Sequence, residues 1–245
     1  PVHCSAGTRD LCRILLPDSG HLQEEEARFA NARGFSKHKP ALPLYTEDDA
    51  RESLKAFSAV PLGREVPLAG ELGLVLRRAG HILGATSATL RAGGMRIVFS
   101  GDLGRLHDPI MHPPERVAEA DYLVVESTYG NRRHGGVDAE VELGAHLARA
   151  LARGGVVVIP AFAVGRAQAL LHHIARLKAR RVIPDVPVYL NSPMAIEATR
   201  LYHSHMAEHR LTADQCEAAC SVAQMVESAD DSRALNGRSG PMVIV

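Results

Sequence analysis

Apolar positions along the first part of the chain change period more than once, and each change marks a different kind of element. Pro1-Val2-His3-Cys4 reads as a short strand, and a helix opens near Thr8-Arg9-Asp10-Leu11. The charged run Gln23-Glu24-Glu25-Glu26-Ala27-Arg28 reads as a solvated helix, while Asn31 to Pro43, punctuated by Gly34, Pro40 and Pro43, predicts a loop. Thr46-Glu47-Asp48-Asp49 has the form of an N-cap followed by acidic first-turn residues, which predicts a helix running to about Phe57. From Val66 the period becomes two. Strands are predicted over residues 72–78, 86–90, 95–100 and 122–126, with Gly93-Gly94 as a hairpin turn between the second and third. This reads as a meander that delivers His81, Asp102 and Glu126 to strand ends.

Near residue 131 the pattern becomes an alternation of helix and strand: helix 138–153, strand 156–160, helix 165–179, strand 186–190, helix 193–209. Such alternation predicts a parallel sheet with helices on its faces. Pro241-Met242-Val243-Ile244-Val245 looks like a strand just beginning, and a chain opening at Pro1 without Met looks like an internal piece. The expected fold class is therefore α/β, with a boundary placed between residues 1–131 and 132–245.

Composition narrows the picture. At 245 residues and 46% hydrophobic, the chain can bury a sizeable core. Its 28 basic and 28 acidic residues cancel, so no global field advertises a polyanion partner. Lys37, Lys39, Lys55 and Lys178 are the only lysines beside a large arginine complement, so only the placement of particular arginines carries weight. No run of roughly 18 apolar residues and no signal peptide is visible, which predicts a cytoplasmic protein with no membrane partner.

Four cysteines show no zinc-ribbon spacing and read as reduced thiols. Cys216 and Cys220 stand one helical turn apart, a spacing that permits a metal pair, but no second pair lies within reach in sequence. His203-Ser204-His205 begins like a metal cluster and lacks the Asp-His that should follow, so it reads as histidines flanking a helix end; His172 and His173 lie inside a helix.

Three residues carry candidate chemistry. His81, between Gly80 and a Leu83-Gly84 turn, projects from a tight bend beyond a strand, where a ring nitrogen can meet a metal; the alternative is a surface or hydrogen-bonded histidine. Asp102 follows the apolar Ile97-Val98-Phe99 strand. It can bridge two metals about 4 Å apart, or serve as a turn-former. Glu126 can orient an imidazole, or act as a rim carboxylate near Arg132 or Arg133. Together, at spacings of 21 and 24 residues, they are harder to dismiss than singly.

The strings Ala79-Gly80-His81-Ile82-Leu83-Gly84-Ala85, Phe99-Ser100-Gly101-Asp102-Leu103-Gly104-Arg105, Val125-Glu126-Ser127-Thr128-Tyr129-Gly130-Asn131-Arg132 and Ile159 through Gln168 resemble the β-CASP branch of the metallo-β-lactamase superfamily. The resemblance covers essentially the whole chain. It implies the C-terminal portion of a metallo-β-lactamase αββα sandwich followed by a truncated β-CASP α/β domain. It also implies a zinc-dependent ribonuclease with two zinc ions, in which His81 is a metal ligand, Asp102 the bridging carboxylate, and Glu126 the support of a catalytic histidine outside these residues. A zinc-bound hydroxide attacks the phosphorus in that family.

RNA is the implied partner, and a homodimer is left open. Candidate substrate contacts are Ser127, Thr128, Tyr129, Arg132, Arg166 and Ser192, the last preceding a helix start. Arg166 could equally form a structural salt bridge, Tyr129 could simply pack, and His134 reads as an RNA contact. The family's His-x-His-x-Asp-His cluster is absent, so the segment alone is expected to be inactive. A DNA-processing nuclease of the same branch and a non-catalytic RNA-binding or scaffold paralogue remain as alternatives.

Overall fold

Ser5 shows how the first helix starts: its side-chain oxygen accepts the Thr8 N–H at 3.0 Å and caps α1, Ala6–Arg33, directly after strand β1, Val2–Cys4. The computed structural model describes residues 1–133 and 135–245, so His134 lies outside the described residues. The early helix signal and the charged run belong to one 28-residue helix. Pro17 sits inside it, buried, at the cost of one intrahelical hydrogen bond. Gly34, at φ +68°, ends the helix with its N–H on the Ala30 carbonyl.

Thr46 and Asp49 form a reciprocal capping box that starts α2, Glu47–Ser53. The expected continuation to Phe57 gives way to one 3-10 turn and then β2, Phe57–Ala59, which pairs in parallel with β1. A three-residue strand carries too little periodicity to outweigh the helical signal before it.

The period-two region forms a five-stranded sheet in the order β3 (Glu65–Pro67), β4 (Gly73–Arg78), β5 (Thr86–Ala92), β6 (Met95–Phe99) and β7 (Tyr122–Val124). Gly93 and Gly94, both at positive φ, join β5 to β6. The meander reading needs one correction. β3 to β6 are antiparallel neighbours, but β7 lies parallel to β6, which the 22-residue connection across residues 100–121 makes possible. Because β6 and β7 run the same way, the Asp102 and Glu126 turns leave the sheet at the same end.

The second part gives α3 (Ala139–Leu151), β8 (Val156–Val158), α4 (Arg166–Ala179), β9 (Val188–Leu190) and α5 (Pro193–Ser204). It continues with α6 (Ala213–Ser221), β10 (Gln224–Met225), α7 (Ala229–Leu235) and β11 (Met242–Ile244). The four strands pair in the order β10-β9-β11-β8, all parallel, as the alternation predicts. Sequence patterning did not resolve α6, β10 and α7. Each is short, and only two residues of β10 pair.

Among the described residues, the two largest of three buried clusters organise the packing. Leu147 and Leu151 of α3, Leu171, Ile174 and Leu177 of α4, and Leu190 and Val243 of the sheet make the core of the second part. The other cluster ignores the expected boundary at residue 131: Leu11 of α1, Leu83, Ile110 and Met111 pack with Ala198, Tyr202, Leu211 and Cys216. Polar contacts repeat this join. The Glu208 carboxylate accepts the Gly7 N–H at 3.0 Å, and the His205 ring lies 3.0 Å from Asp10. α5 is thus docked on the N-terminal end of α1.

Candidate active site

The turn that carries His81 is closed from both sides. Ala79 N–H donates to the Ala85 carbonyl at 2.9 Å, and Ala85 N–H donates to Ile82 at 3.0 Å. Gly84 has φ +79°, and a Cβ there would strike the backbone of Gly7 and Thr8; its carbonyl accepts the Ser5 and Thr8 hydroxyls at 2.7 and 2.8 Å. The beginning of α1 therefore fixes the bend, and its tip leaves His81 exposed beside buried Gly80 and Leu83.

Asp102 occupies the turn after β6 and is exposed. Gly104 N–H donates to the Ala79 carbonyl at 2.8 Å, and a Cβ on Gly104 would land on the Gly80 carbonyl oxygen and lie 2.7 Å from the His81 nitrogen. The Asp102 turn is thus stacked on the His81 turn with no room for a side chain between them.

Glu126 joins the same rim. It lies two residues beyond β7, and its N–H donates to the Ser100 hydroxyl at 3.0 Å. One carboxylate oxygen accepts the Thr128 N–H at 2.9 Å and the other the Leu103 N–H at 3.3 Å. These two backbone donors, then the Thr128 hydroxyl and attraction to His81, hold Glu126 below the usual carboxylate range. Among the described residues Glu126 makes no ion pair with Arg132 or Arg133, so the rim-carboxylate alternative is not what anchors it. A carboxylate has about four acceptor positions, so capacity remains for an imidazole N–H.

The second part reaches this rim at the start of α4. Gly165 packs so closely on Ile82, neighbour of His81, that a Cβ would sit 2.8 Å from its Cγ2 methyl. Arg166 follows directly, exposed, with its guanidinium 5.9 Å from the centre of the Phe162 ring. Among the described residues Arg166 has no carboxylate within 4.0 Å, so the structural salt bridge is not its role here.

Buried Gln168 fixes the loop. It accepts the Gly165 N–H at 2.7 Å and donates to the Ala163 carbonyl at 3.0 Å and the Thr199 hydroxyl at 2.9 Å. Ser192 caps α5 by accepting the Ala195 N–H at 3.2 Å, at the same strand-end edge of the parallel sheet.

Ser127 and Tyr129 accept backbone N–H groups from Gly130 and Arg132, both at 3.0 Å, forming two successive exposed turns. Thr128 is turned back onto Glu126, so part of its polar capacity serves the carboxylate. Ser5, Thr8, Gln168 and Gly104 shape the rim and were missed as positioning groups. Only the glycine- and serine-punctuated strings marked their neighbourhood.

His81 and Asp102 are donors of the right kind for zinc, an imidazole nitrogen and a carboxylate oxygen, but two side chains do not complete even one four-coordinate ion. Among the described residues, no group of three or more potential ligands within 4.8 Å of one another contains either of them. The residues present therefore do not by themselves fit a binuclear centre.

A strand-end rim carrying His81, Asp102 and Glu126, joined to a second part built on a parallel sheet, defines a mixed α/β architecture. The comparisons with known proteins agree on the class. The Beta-Casp domain matches residues 167–245. Ribonuclease TTHA0252 of Thermus thermophilus is 30% identical, over 100% of this chain and 54% of that protein. Transcription termination factor FttA of Methanosarcina mazei is 33% identical over 84% of the chain and 31% of its own length, and endoribonuclease YSH1 of Mycosarcoma maydis is 31% identical over 84% and 22%. The chain belongs to the β-CASP branch of the metallo-β-lactamase superfamily. It spans about half the length of the Thermus ribonuclease and a third or less of the other two.

Proposed function

We propose that this chain supplies part of the active rim of a zinc-dependent ribonuclease that hydrolyses RNA phosphodiester bonds. His81 and Asp102 would supply an imidazole nitrogen and a carboxylate toward a pair of zinc ions whose remaining ligands come from outside these residues. Glu126 orients a histidine from elsewhere in the protein. The observation that carries the reading is the stacking of the Asp102 turn on the His81 turn, with Glu126 hydrogen-bonded across the same turn at Leu103. Ser127, Tyr129, Arg132, Arg166 and Ser192 would contact the sugar-phosphate backbone, where hydroxyls, guanidinium groups and a helix N-terminus suit phosphate oxygens; Thr128 would do so with whatever capacity Glu126 leaves it.

The proposed division into a metallo-β-lactamase portion, 1–131, and a β-CASP portion, 132–245, keeps the rim at their junction. The sandwich reading draws support from β7, whose Tyr122, Leu123 and Val124 are each more than half exposed, as an apolar strand awaiting a packing partner would be. A cytoplasmic location fits the relatives named for RNA work.

Because two donors do not complete a zinc ion, residues 1–245 alone are predicted to show no zinc-dependent RNA cleavage. In any longer protein that contains this chain and cleaves RNA, Asp102→Asn should lower the rate at least about a hundredfold while leaving RNA affinity within a few-fold. Cleavage of RNA and not of the matching DNA supports the ribonuclease, the converse supports a DNA-processing enzyme, and RNA binding without cleavage supports the scaffold. Unchanged cleavage by Asp102→Asn removes Asp102 from the metal site.

A further inference from the structure

We propose that His203, Cys216 and Cys220 form a separate metal site, away from the rim, that takes a thiophilic divalent cation of the zinc type. Nothing in the nuclease reading requires it. Cys216 and Cys220 lie on one face of α6 with an interval of four residues, and His203 comes from the last turn of α5, packed against α6. One ligand atom from each of the three lies within 4.8 Å of the other two. Two sulfurs and an imidazole nitrogen are the donor set that favours zinc over magnesium or calcium.

A tetrahedral ion with Zn–S near 2.3 Å and Zn–N near 2.0 Å has ligand–ligand edges of roughly 3.5 to 3.8 Å, so atoms within 4.8 Å of one another need to draw in by about 1.3 Å at most. The imidazole can make that adjustment, because its side chain is 44% exposed. Glu217 lies outside the three-atom cluster but next to His203, and would have to swing in to serve as a fourth ligand. Its carboxylate oxygen is 3.6 Å from the His203 Nε2 and its side chain is largely exposed; water is the alternative.

The competing account is two thiols filling a core beside a surface histidine. Cys216 is indeed 1% exposed and belongs to the shared cluster. Three features favour a ligand set. Neither thiol is in a disulfide. Cys216 and Cys220 line one small cavity together, with Ile110, Leu171, Thr199, Tyr202 and Leu211. His203, the third member of the triangle, comes from a different helix.

A metal-bound cysteine is a thiolate, so an incoming cation must displace the thiol protons. Burial, with the neighbouring Cys216, pushes the Cys220 thiol up to about 12, and burial raises Cys216 as well. Loading is therefore an exchange: the ion gains two sulfur ligands as both S–H bonds give up their protons to solvent, with no change of oxidation state. The ion would tie the end of α5 to α6 one turn from where His205 and Glu208 grip α1. Its role there is structural.

Cobalt(II) titration of the reduced, metal-stripped chain tests this, since only cysteine coordination gives sulfur-to-cobalt charge-transfer absorption together with tetrahedral ligand-field bands. One cobalt per chain with both features is expected, displaced by zinc, with release of two protons and a rise in Tm. Cys220→Ala should abolish the sulfur bands and His203→Gln should weaken cobalt binding at least tenfold. The Cys4→Ser/Cys12→Ser and His81→Ala variants should keep the bands, which separates this site from the rim. Absence of sulfur bands in the wild-type chain, or their survival in a Cys216→Ala/Cys220→Ala variant, overturns the proposal. Should Cys220→Ala lose its circular-dichroism signature of folding, the exposed His203→Gln variant decides, and unaltered cobalt affinity there is also an overturning result.

Discussion

Gly104 is the residue on which the rim geometry turns. It has no special backbone angle; what it lacks is a side chain, at the one place where the Asp102 turn lies directly on the Gly80–His81 peptide. Gly104→Ala must push the two turns apart or break the hydrogen bond from its N–H to Ala79. The expected cost is about 1 to 3 kcal/mol, measured as a lower urea midpoint at unchanged m-value. A variant as stable as wild type would show that the turns are not in rigid contact. The sequence marks Gly104 only as one glycine in a run, because the group it must avoid lies 24 residues earlier in the chain.

At the level of elements, acid sensitivity gathers where α3 meets α4 and at the turn after α5. Glu140 at the start of α3 is buried, which raises its pKa, but the His173 ring at 3.0 Å, Arg176 at 2.8 Å and Arg180 at 3.0 Å outweigh that and hold it below its ordinary value. His172 on the same helix is buried and held below its ordinary value of 6.5, first by desolvation and then by His173 and Arg176. His209 is also lowered by burial, although its Nε2–H donates to the Tyr202 carbonyl at 2.9 Å. For all three groups the unfolded chain binds protons more readily than the folded one, so stability rises with pH across each window.

Stability is therefore predicted to fall as pH drops below about 6.5 through the two histidines, and further below about 4.5 as Glu140 takes up its proton. Urea midpoints at pH 7.5, 6.0, 5.0 and 4.0 would follow this, and His172→Asn should flatten the upper step. A midpoint that does not move between pH 7.5 and 5.0 would contradict it.

At the scale of the whole molecule, the cluster joining Leu11 and Leu83 to Ala198 and Tyr202 makes the two parts one folding unit. Leu83 is 1% exposed, and Leu83→Ala should cost about 2 to 5 kcal/mol. The loss should shift a single thermal transition, with signals from both parts moving together. Two separate transitions, of which only one responds, would mean that the halves fold independently despite their shared core.

What the sequence determined by itself was local. Period two laid out β4, β5 and β6 nearly to the residue, Gly93-Gly94 placed the hairpin, and the helix–strand alternation gave the parallel sheet, because side-chain period and turn chemistry are properties of neighbouring residues. The short motifs likewise singled out His81, Asp102 and Glu126 as candidates. Only the tertiary structure decided that β7 joins β6 in parallel, that Gly104 lies on Gly80, that α5 docks on α1, and that His203 meets Cys216 and Cys220. Each of these depends on where a distant segment packs to bury its apolar face, and no window along one stretch of chain contains both partners.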